Sequence, residues 1–118
     1  MKTSVLKNII KKIFINHKLS KEHALICAEA LINAELVGAP SHGLSRLKMY
    51  CDRIKHKLIN PKPKIKIKKI SQSISLIDAN NSIGFVGADV AIKTAIKNAK
   101  KTGIGLVAVK NSGHYGLS

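Results

Sequence analysis

Ser41, His42 and Arg46 form the first group of residues whose types and spacing could do chemistry. If Ser41 is the N-cap of a helix, His42 lies in its first turn and Arg46, four residues later, shares its face. The free N–H groups of a helix start and a guanidinium favour a carboxylate, and the imidazole beside it can exchange a proton with a neighbouring oxygen. This chemistry suits a small 2-oxo or 2-hydroxy acid. The alternative is an ordinary capped helix with a partly exposed histidine and a surface arginine.

The second group is the loop Asn111–Gly116, which follows a strongly apolar segment. In open α/β sheets ligands bind beyond the carboxyl ends of strands, and glycines let a backbone approach a ligand closely. His114 and Tyr115 are therefore candidate ligand contacts. Asn-Ser-Gly is also ordinary turn chemistry, so the alternative is a simple surface loop. Neither GxGxxG after a strand nor GxxxxGK[ST] occurs in the sequence.

Three amphipathic patterns over residues 1–60 must position the first group, and they predict a helical subdomain. Each predicted helix lies between a capping residue or glycine and a residue that ends it: Ser4 to His17, Ser20 to Gly38, and Gly43 to Pro61. In the second helix one face is wholly apolar, with Ala24, Cys27, Ala28 and Leu31.

Residues 61–118 have a different pattern, which begins at the stiff connector Pro61-Lys62-Pro63. The alternation of lysine and isoleucine predicts an exposed or edge strand, and a second strand, a polar turn and a helix ended by Gly103 follow. A continuous apolar run then predicts a strand buried on both faces. The predicted segments are strands at 64–68, 74–77 and 104–109, with the turn at 78–82. The order β-β-α-β predicts the beginning of an α/β domain.

The charge of the chain has two interpretations. It contains 118 residues, with 21 Lys and Arg against 6 Asp and Glu, for a net charge of +15. Nearly all the cations are lysines and aromatic residues are few, whereas phosphate binders favour arginine and single-strand binders add stacking aromatics. We therefore interpret the charge as solvated surface. A small basic nucleic-acid-binding module is the alternative.

The remaining features indicate a cytoplasmic location. No apolar run reaches the length of a membrane span, and lysines interrupt the N-terminal apolar residues where a secretory signal needs continuity. Cys27 and Cys51 lie far from any CxxC spacing and fall on apolar helix faces, so we expect reduced, buried thiols. The histidines lack metal-ligand spacing, so no metal site is expected.

Taken together, the two candidate groups resemble the malate/L-lactate dehydrogenase family of NAD(P)-dependent oxidoreductases, which lies outside the Rossmann class. The resemblance spans nearly the whole chain, and the combination of SHGLSR with the strand and the NSGHYG loop is specific. The segments that match, in order, are Gly38–Leu47, Asn80–Gly84 and Gly103–Gly116. The resemblance implies a non-Rossmann α/β cofactor-binding domain after the helical subdomain, NAD or NADP as cofactor, and a homodimer for the full-length protein.

The resemblance also implies roles for individual residues. His42 matches the proton donor or acceptor of several members, Ser41 matches its hydrogen-bonding partner, and Arg46 matches the arginine that binds the substrate carboxylate. His114 is assigned the acid/base role in some members and otherwise belongs to the cofactor loop. The residues that match this loop are His114, Tyr115, Gly116, Leu117 and Ser118.

Members of the family are much longer chains, so the sequence matches only their N-terminal portion. Cofactor and substrate must be held in near-attack geometry, and half a pocket cannot do this. The expectation is therefore the N-terminal part of an oxidoreductase that acts on a small 2-hydroxy or 2-oxo acid such as malate or lactate, with the 118-residue chain inactive on its own. The alternative is an inactive, truncated remnant of such an enzyme.

Overall fold

The first half of the chain is helical, and the second half forms a three-stranded sheet with one helix. The computed structural model describes residues 1–117. Its elements in chain order are α1 (Thr3–Asn16), α2 (Lys21–Leu36), α3 (Leu47–Lys55), β1 (Lys66–Lys69), β2 (Ile74–Ser82), α4 (Gly84–Thr102) and β3 (Leu106–Ser112). This mixed α/β architecture confirms the predicted fold class. Within the described residues, no helix combines the length and apolar composition that a membrane crossing requires.

Helix α2 forms the centre of the core, and the predicted apolar face is the buried one. Ala24, Cys27, Ala28 and Leu31 have no exposed surface. The predicted cap is also confirmed, because the Ser20 hydroxyl accepts a hydrogen bond from the His23 backbone N–H. The same buried cluster includes Ile10 and Phe14 of α1, Tyr50 and Ile54 of α3, and Ile83, Phe85 and Val86 around the start of α4.

Helix α1 differs from the prediction in two details. It begins at Thr3, with Lys2 in the N-cap position, so Ser4 lies inside the first turn and does not cap the helix. Ile9, part of the predicted apolar stripe, is largely exposed, whereas Phe14 is fully buried. Here the packing of α1 against α2 decides which side of the stripe is covered.

The arrangement considered from the sequence, with Ser41 as the N-cap of a helix that includes His42 and Arg46, is not found, and α3 begins only at Leu47. Two short 3-10 turns, Pro40–His42 and Leu44–Arg46, meet at Gly43, whose φ of −98° and ψ of −134° interrupt helical geometry. The Glu35 carboxylate accepts a hydrogen bond of 2.8 Å from the Leu44 N–H. It also occupies the space beside Gly43, where any side chain would collide with it.

The sheet has the order β1-β2-β3, with β1 antiparallel and β3 parallel to β2. All four residues of β1 are exposed, which agrees with the predicted edge strand. The turn predicted at 78–82 is wrong, because β2 continues through it to Ser82. The pairing register of β2 with β3 shifts between Asp78 and Ser82. Asn80 and Asn81 lie within this shift and have φ values of 50° and 60°, a conformation that asparagine tolerates better than most residues.

The strand predicted to be buried on both faces is also corrected. β3 lies at the edge of the sheet and is mostly exposed, with Leu106 62% exposed. Helix α4 packs against β3, and no described strand pairs with the free edge of β3. Helix α4 itself ends as predicted at Gly103, which has a left-handed φ of 86°.

Truncation of Leu31 tests the core. We expect Leu31→Ala to lower the free energy of unfolding by about 2–5 kcal/mol, because the side chain is fully buried and leaves a cavity. The matched control is Leu36→Ala on the same helix, where Leu36 is 69% exposed and the change should stay within about 0.5 kcal/mol. Urea unfolding followed by circular dichroism measures both, and equal effects would contradict the assigned core.

The two cysteines provide a second test. Both are buried and free, and burial raises the pKa of the Cys27 thiol far above its ordinary range and raises that of Cys51 as well. Since the thiolate is the reactive form, we expect iodoacetamide at pH 8 to leave Cys27 unmodified in the folded chain and to alkylate it in guanidinium chloride. Mass spectrometry reads out the labelling. Equal labelling rates in the two conditions would refute the burial of Cys27.

Candidate active site

The structure brings the two predicted groups together. His42 lies in the first 3-10 turn, His114 lies in the loop after β3, and their rings are stacked with centroids 6.0 Å apart and planes 22° apart. Neither sequence segment by itself predicts this contact. The two histidines are far apart in the chain, and all three strands lie between them. The result is a pair of imidazoles at the junction of the helical segment and the sheet.

Arg46 is tied to His42 through Ser41. The Ser41 hydroxyl lies 3.0 Å from Nδ1 of His42, and the Arg46 Nε donates a hydrogen bond of 2.7 Å to the Ser41 carbonyl. Arg46 is exposed, and its two terminal nitrogens form no hydrogen bond with any described residue. A compact turn closed by the Arg46 side chain, and not a regular helix, therefore links Arg46 to Ser41, the residue next to His42.

Tyr50 is a site residue that the sequence reasoning missed. It lies on α3, its ring is buried, and its hydroxyl is 2.9 Å from Nδ1 of His114. Burial raises the pKa of this hydroxyl and the nearby Arg46 guanidinium partly opposes the shift, so the group is protonated at neutral pH. A signal was present in the sequence: Tyr50 follows Arg46 by four residues, the spacing of neighbours on a helix face.

The loop that carries His114 lies close to the first turn of α4. The Gly113 N–H donates to the Ser82 carbonyl at 3.2 Å, and a side chain at Gly84 would collide with the His114 carbonyl. Asp78, a second residue missed from sequence, accepts a hydrogen bond of 3.0 Å from the Asn111 amide. That hydrogen bond is the main cause of the lowered pKa of Asp78.

An open groove of about 660 Å³ lies between α4 and β3, next to this loop. Small or apolar residues form most of its lining, among them Gly84, Ala91, Gly105 and Gly113, and the Tyr115 ring borders it. No charged residue lines the groove among those described.

The other residues of the predicted cofactor loop are less closely grouped. Gly116 lies beside His114 and donates its N–H to Nδ1 at 3.2 Å. Leu117 borders a separate cavity between α2 and α4, together with Ile26 and Phe85. Ser118 lies outside the described residues. Over residues 1–117, no three His, Cys, Asp or Glu side chains are grouped as a metal site would require.

Comparison with known proteins places this geometry in a family. A malate dehydrogenase of Pyrococcus abyssi is 48% identical over 98 residues, which are 83% of this chain and 27% of that protein. A malate/(S)-sulfolactate dehydrogenase of Methanothermus fervidus is 38% identical over 112 residues, 95% of this chain and 33% of that protein. The solved structure of malate dehydrogenase from Pyrococcus horikoshii OT3 superimposes with a TM-score of 0.96 at 38% identity, covering 99% of this chain and 34% of that one.

The chain thus spans about a third of the length of these relatives. The sequence model of the family described as malate/L-lactate dehydrogenase matches residues 1–118, the whole of the sequence. Together with the paired histidines beside Arg46, this match means that the chain belongs to the malate/L-lactate dehydrogenase family.

Proposed function

We propose that this chain is the N-terminal part of an NAD(P)-dependent oxidoreductase that acts on a small 2-hydroxy or 2-oxo acid such as malate or lactate. The observation that supports it best is the stacking of His42 and His114 beside Arg46. In this proposal residues 1–60 form a helical subdomain, and residues 61–118 begin the cofactor-binding domain.

Arg46 binds the substrate carboxylate in the proposed reaction. Its Nε is already engaged by the Ser41 carbonyl, which restricts where the guanidinium can point. The two terminal nitrogens remain available, and a guanidinium can present two parallel N–H donors to a carboxylate. The hydrogen bond to Ser41 therefore sets the distance between the bound carboxylate and the His42 ring.

His42 transfers the proton. In the direction of oxidation, Nε2 of His42 accepts the proton of the substrate hydroxyl, and in reduction it returns that proton to the carbonyl oxygen. An imidazole can both accept and donate a proton near neutral pH, so one side chain serves both directions of the reaction. The Ser41 hydroxyl at Nδ1 orients the ring and can donate to Nδ1 or accept from it, so it can remain hydrogen-bonded as His42 changes protonation state.

The cofactor contacts come from the loop after β3, at His114, Tyr115, Gly116, Leu117 and Ser118. When bound, the nicotinamide ring accepts or donates the hydride that is exchanged at the substrate carbon. The loop lies against the first turn of α4, where the Gly113 N–H donates to the Ser82 carbonyl and the His114 carbonyl leaves no room for a side chain at Gly84.

The proposal includes the rest of the family fold and the homodimer that the resemblance implies. Support comes from apolar side chains left open to solvent on α4 and β3. Those more than a third exposed are Ile92, Ile96, Leu106 and Val109. Exposure of these apolar side chains to water, beside an unpaired strand edge, is unfavourable. It therefore favours association with additional polypeptide.

A chimera tests the proposed reaction. Residues 1–117 of this chain replace the matching segment of the P. horikoshii malate dehydrogenase, and oxidation of NADH or NADPH is measured with a set of 2-oxo acids. We expect turnover, and we expect His42→Gln to lower kcat by about 100- to 10,000-fold, the usual range for loss of a general acid/base. The matched control is His56→Gln, an exposed histidine bonded to its own helix at the Asp52 carbonyl. A folded chimera that turns over no 2-oxo acid would favour the inactive remnant.

Substitution of Arg46 tests carboxylate binding in the same chimera. Arg46→Lys keeps the positive charge and removes the paired donors, so we expect KM for the acid to rise by about 10- to 100-fold with a smaller change in kcat. Arg53→Lys, on the exposed side of α3, serves as the control and should leave KM unchanged. An unchanged KM in Arg46→Lys would exclude the assigned role.

A further inference from the structure

Nδ1 of His114 faces two hydrogen-bond donors. The Gly116 backbone N–H lies 3.2 Å away, and the Tyr50 hydroxyl lies 2.9 Å away. A backbone N–H can only donate, so the Nδ1 lone pair accepts from Gly116, and the Tyr50 hydroxyl then donates to the same single lone pair. The neutral His114 ring consequently has its proton on Nε2. Among the described residues, none forms a hydrogen bond with Nε2.

Both donors are held in place by one side chain, Phe85. The Tyr50 ring packs edge-on against Phe85 with centroids 5.2 Å apart. Gly116 adopts φ 84°, and a side chain at that position would collide with Phe85. The hydroxyl and the N–H therefore converge on Nδ1 because the rigid ring at the start of α4 supports each of them.

The surroundings of Nδ1 differ between the two histidines. The partner of His42 is the Ser41 hydroxyl, which can donate to a neutral ring and accept from a protonated one. In a protonated His114, Nδ1 also carries a hydrogen, which would point at the Gly116 N–H. The hydrogen bond from the Gly116 N–H to Nδ1 would then be lost. His42 therefore keeps its Nδ1 hydrogen bond in either protonation state, whereas His114 keeps the hydrogen bond from the Gly116 N–H only as a neutral ring.

From this geometry we infer that Tyr50 is a positioning residue that, together with the Gly116 N–H, holds His114 as the neutral Nε2–H tautomer, so that His114 is a hydrogen-bond donor and His42 alone transfers the proton. The assignment of the tautomer stands on the contacts of the chain itself. The division of roles rests on the proposed function.

Nuclear magnetic resonance of the 118-residue chain tests the tautomer without any need for activity. Long-range ¹H–¹⁵N correlation spectra at pH 8, with the His114 signals assigned by their loss in His114→Gln, report which ring nitrogen is protonated. We expect a protonated Nε2 and an unprotonated Nδ1. In Tyr50→Phe, which keeps the ring and removes the hydroxyl, the two nitrogen shifts should move toward those of a mixture of tautomers.

The matched control for this measurement is Tyr115→Phe, in which an exposed hydroxyl in the same loop is removed. It should leave the His114 nitrogen shifts as in the unmodified chain. A protonated Nδ1 in the unmodified chain would overturn the inference, and so would a folded Tyr50→Phe with unchanged shifts. If Tyr50→Phe does not fold, the spectrum of the unmodified chain still decides the tautomer.

The division of roles is tested in the active chimera. A glutamine amide can donate a hydrogen bond but cannot transfer a proton at neutral pH, so His114→Gln should keep kcat within about tenfold while His42→Gln does not. Equal losses of kcat in the two variants would overturn the division of roles. An inactive chimera would count against the proposed reaction and leave the tautomer to be decided by the spectra.

Discussion

Phe85, in the first turn of α4, contacts both parts of the site. Its ring meets the edge of Tyr50 on one side and the backbone of Gly116 on another, and it is itself buried in the core cluster. Interiors are close-packed, so a ring in this position cannot move without displacing its neighbours. This ring therefore links α3, which carries Tyr50, to the loop that carries His114.

A second constraint on the candidate site comes from the helical half of the chain. Helix α2 is buried along a full face, and near its C-terminal end the Glu35 carboxylate holds the Leu44 N–H. This contact replaces a backbone hydrogen bond that a continuous helix would have formed, and it stabilises the break at Gly43. The break leaves the Ser41 carbonyl free to accept from Arg46. A polar side chain at the edge of the core thus determines the shape of the turn that bears the candidate site.

Both histidines use Nδ1 for contacts within the chain and leave Nε2 without a described partner. In both rings Nε2 is thus the nitrogen open to a ligand, while the partners at Nδ1 differ. The hydroxyl beside His42 accommodates two protonation states, and the N–H beside His114 accommodates one. Neighbouring imidazoles can in this way perform different tasks although their residue type is the same.

The sequence by itself determined the helix ends and buried faces that depend on interactions between residues close together in the chain. The Ser20 cap, the Gly103 terminus and the apolar face of α2 all follow from spacing and backbone preference alone. The SHGLSR and NSGHYG segments likewise identified the candidate residues through their resemblance to a family. The exposure of β3 could not be predicted from the sequence. An apolar run shows that a strand favours burial, but it does not show whether another element packs against that strand.

The site itself was decided by tertiary structure. The stacking of the two imidazoles, the Tyr50 hydroxyl at Nδ1 and the Asp78 contact to Asn111 each join residues that are distant in the chain. Periodicity cannot report such pairs, since it describes one element at a time. They arise only when α3, α4 and the loop after β3 pack around a shared buried ring, and that packing is a property of the whole fold.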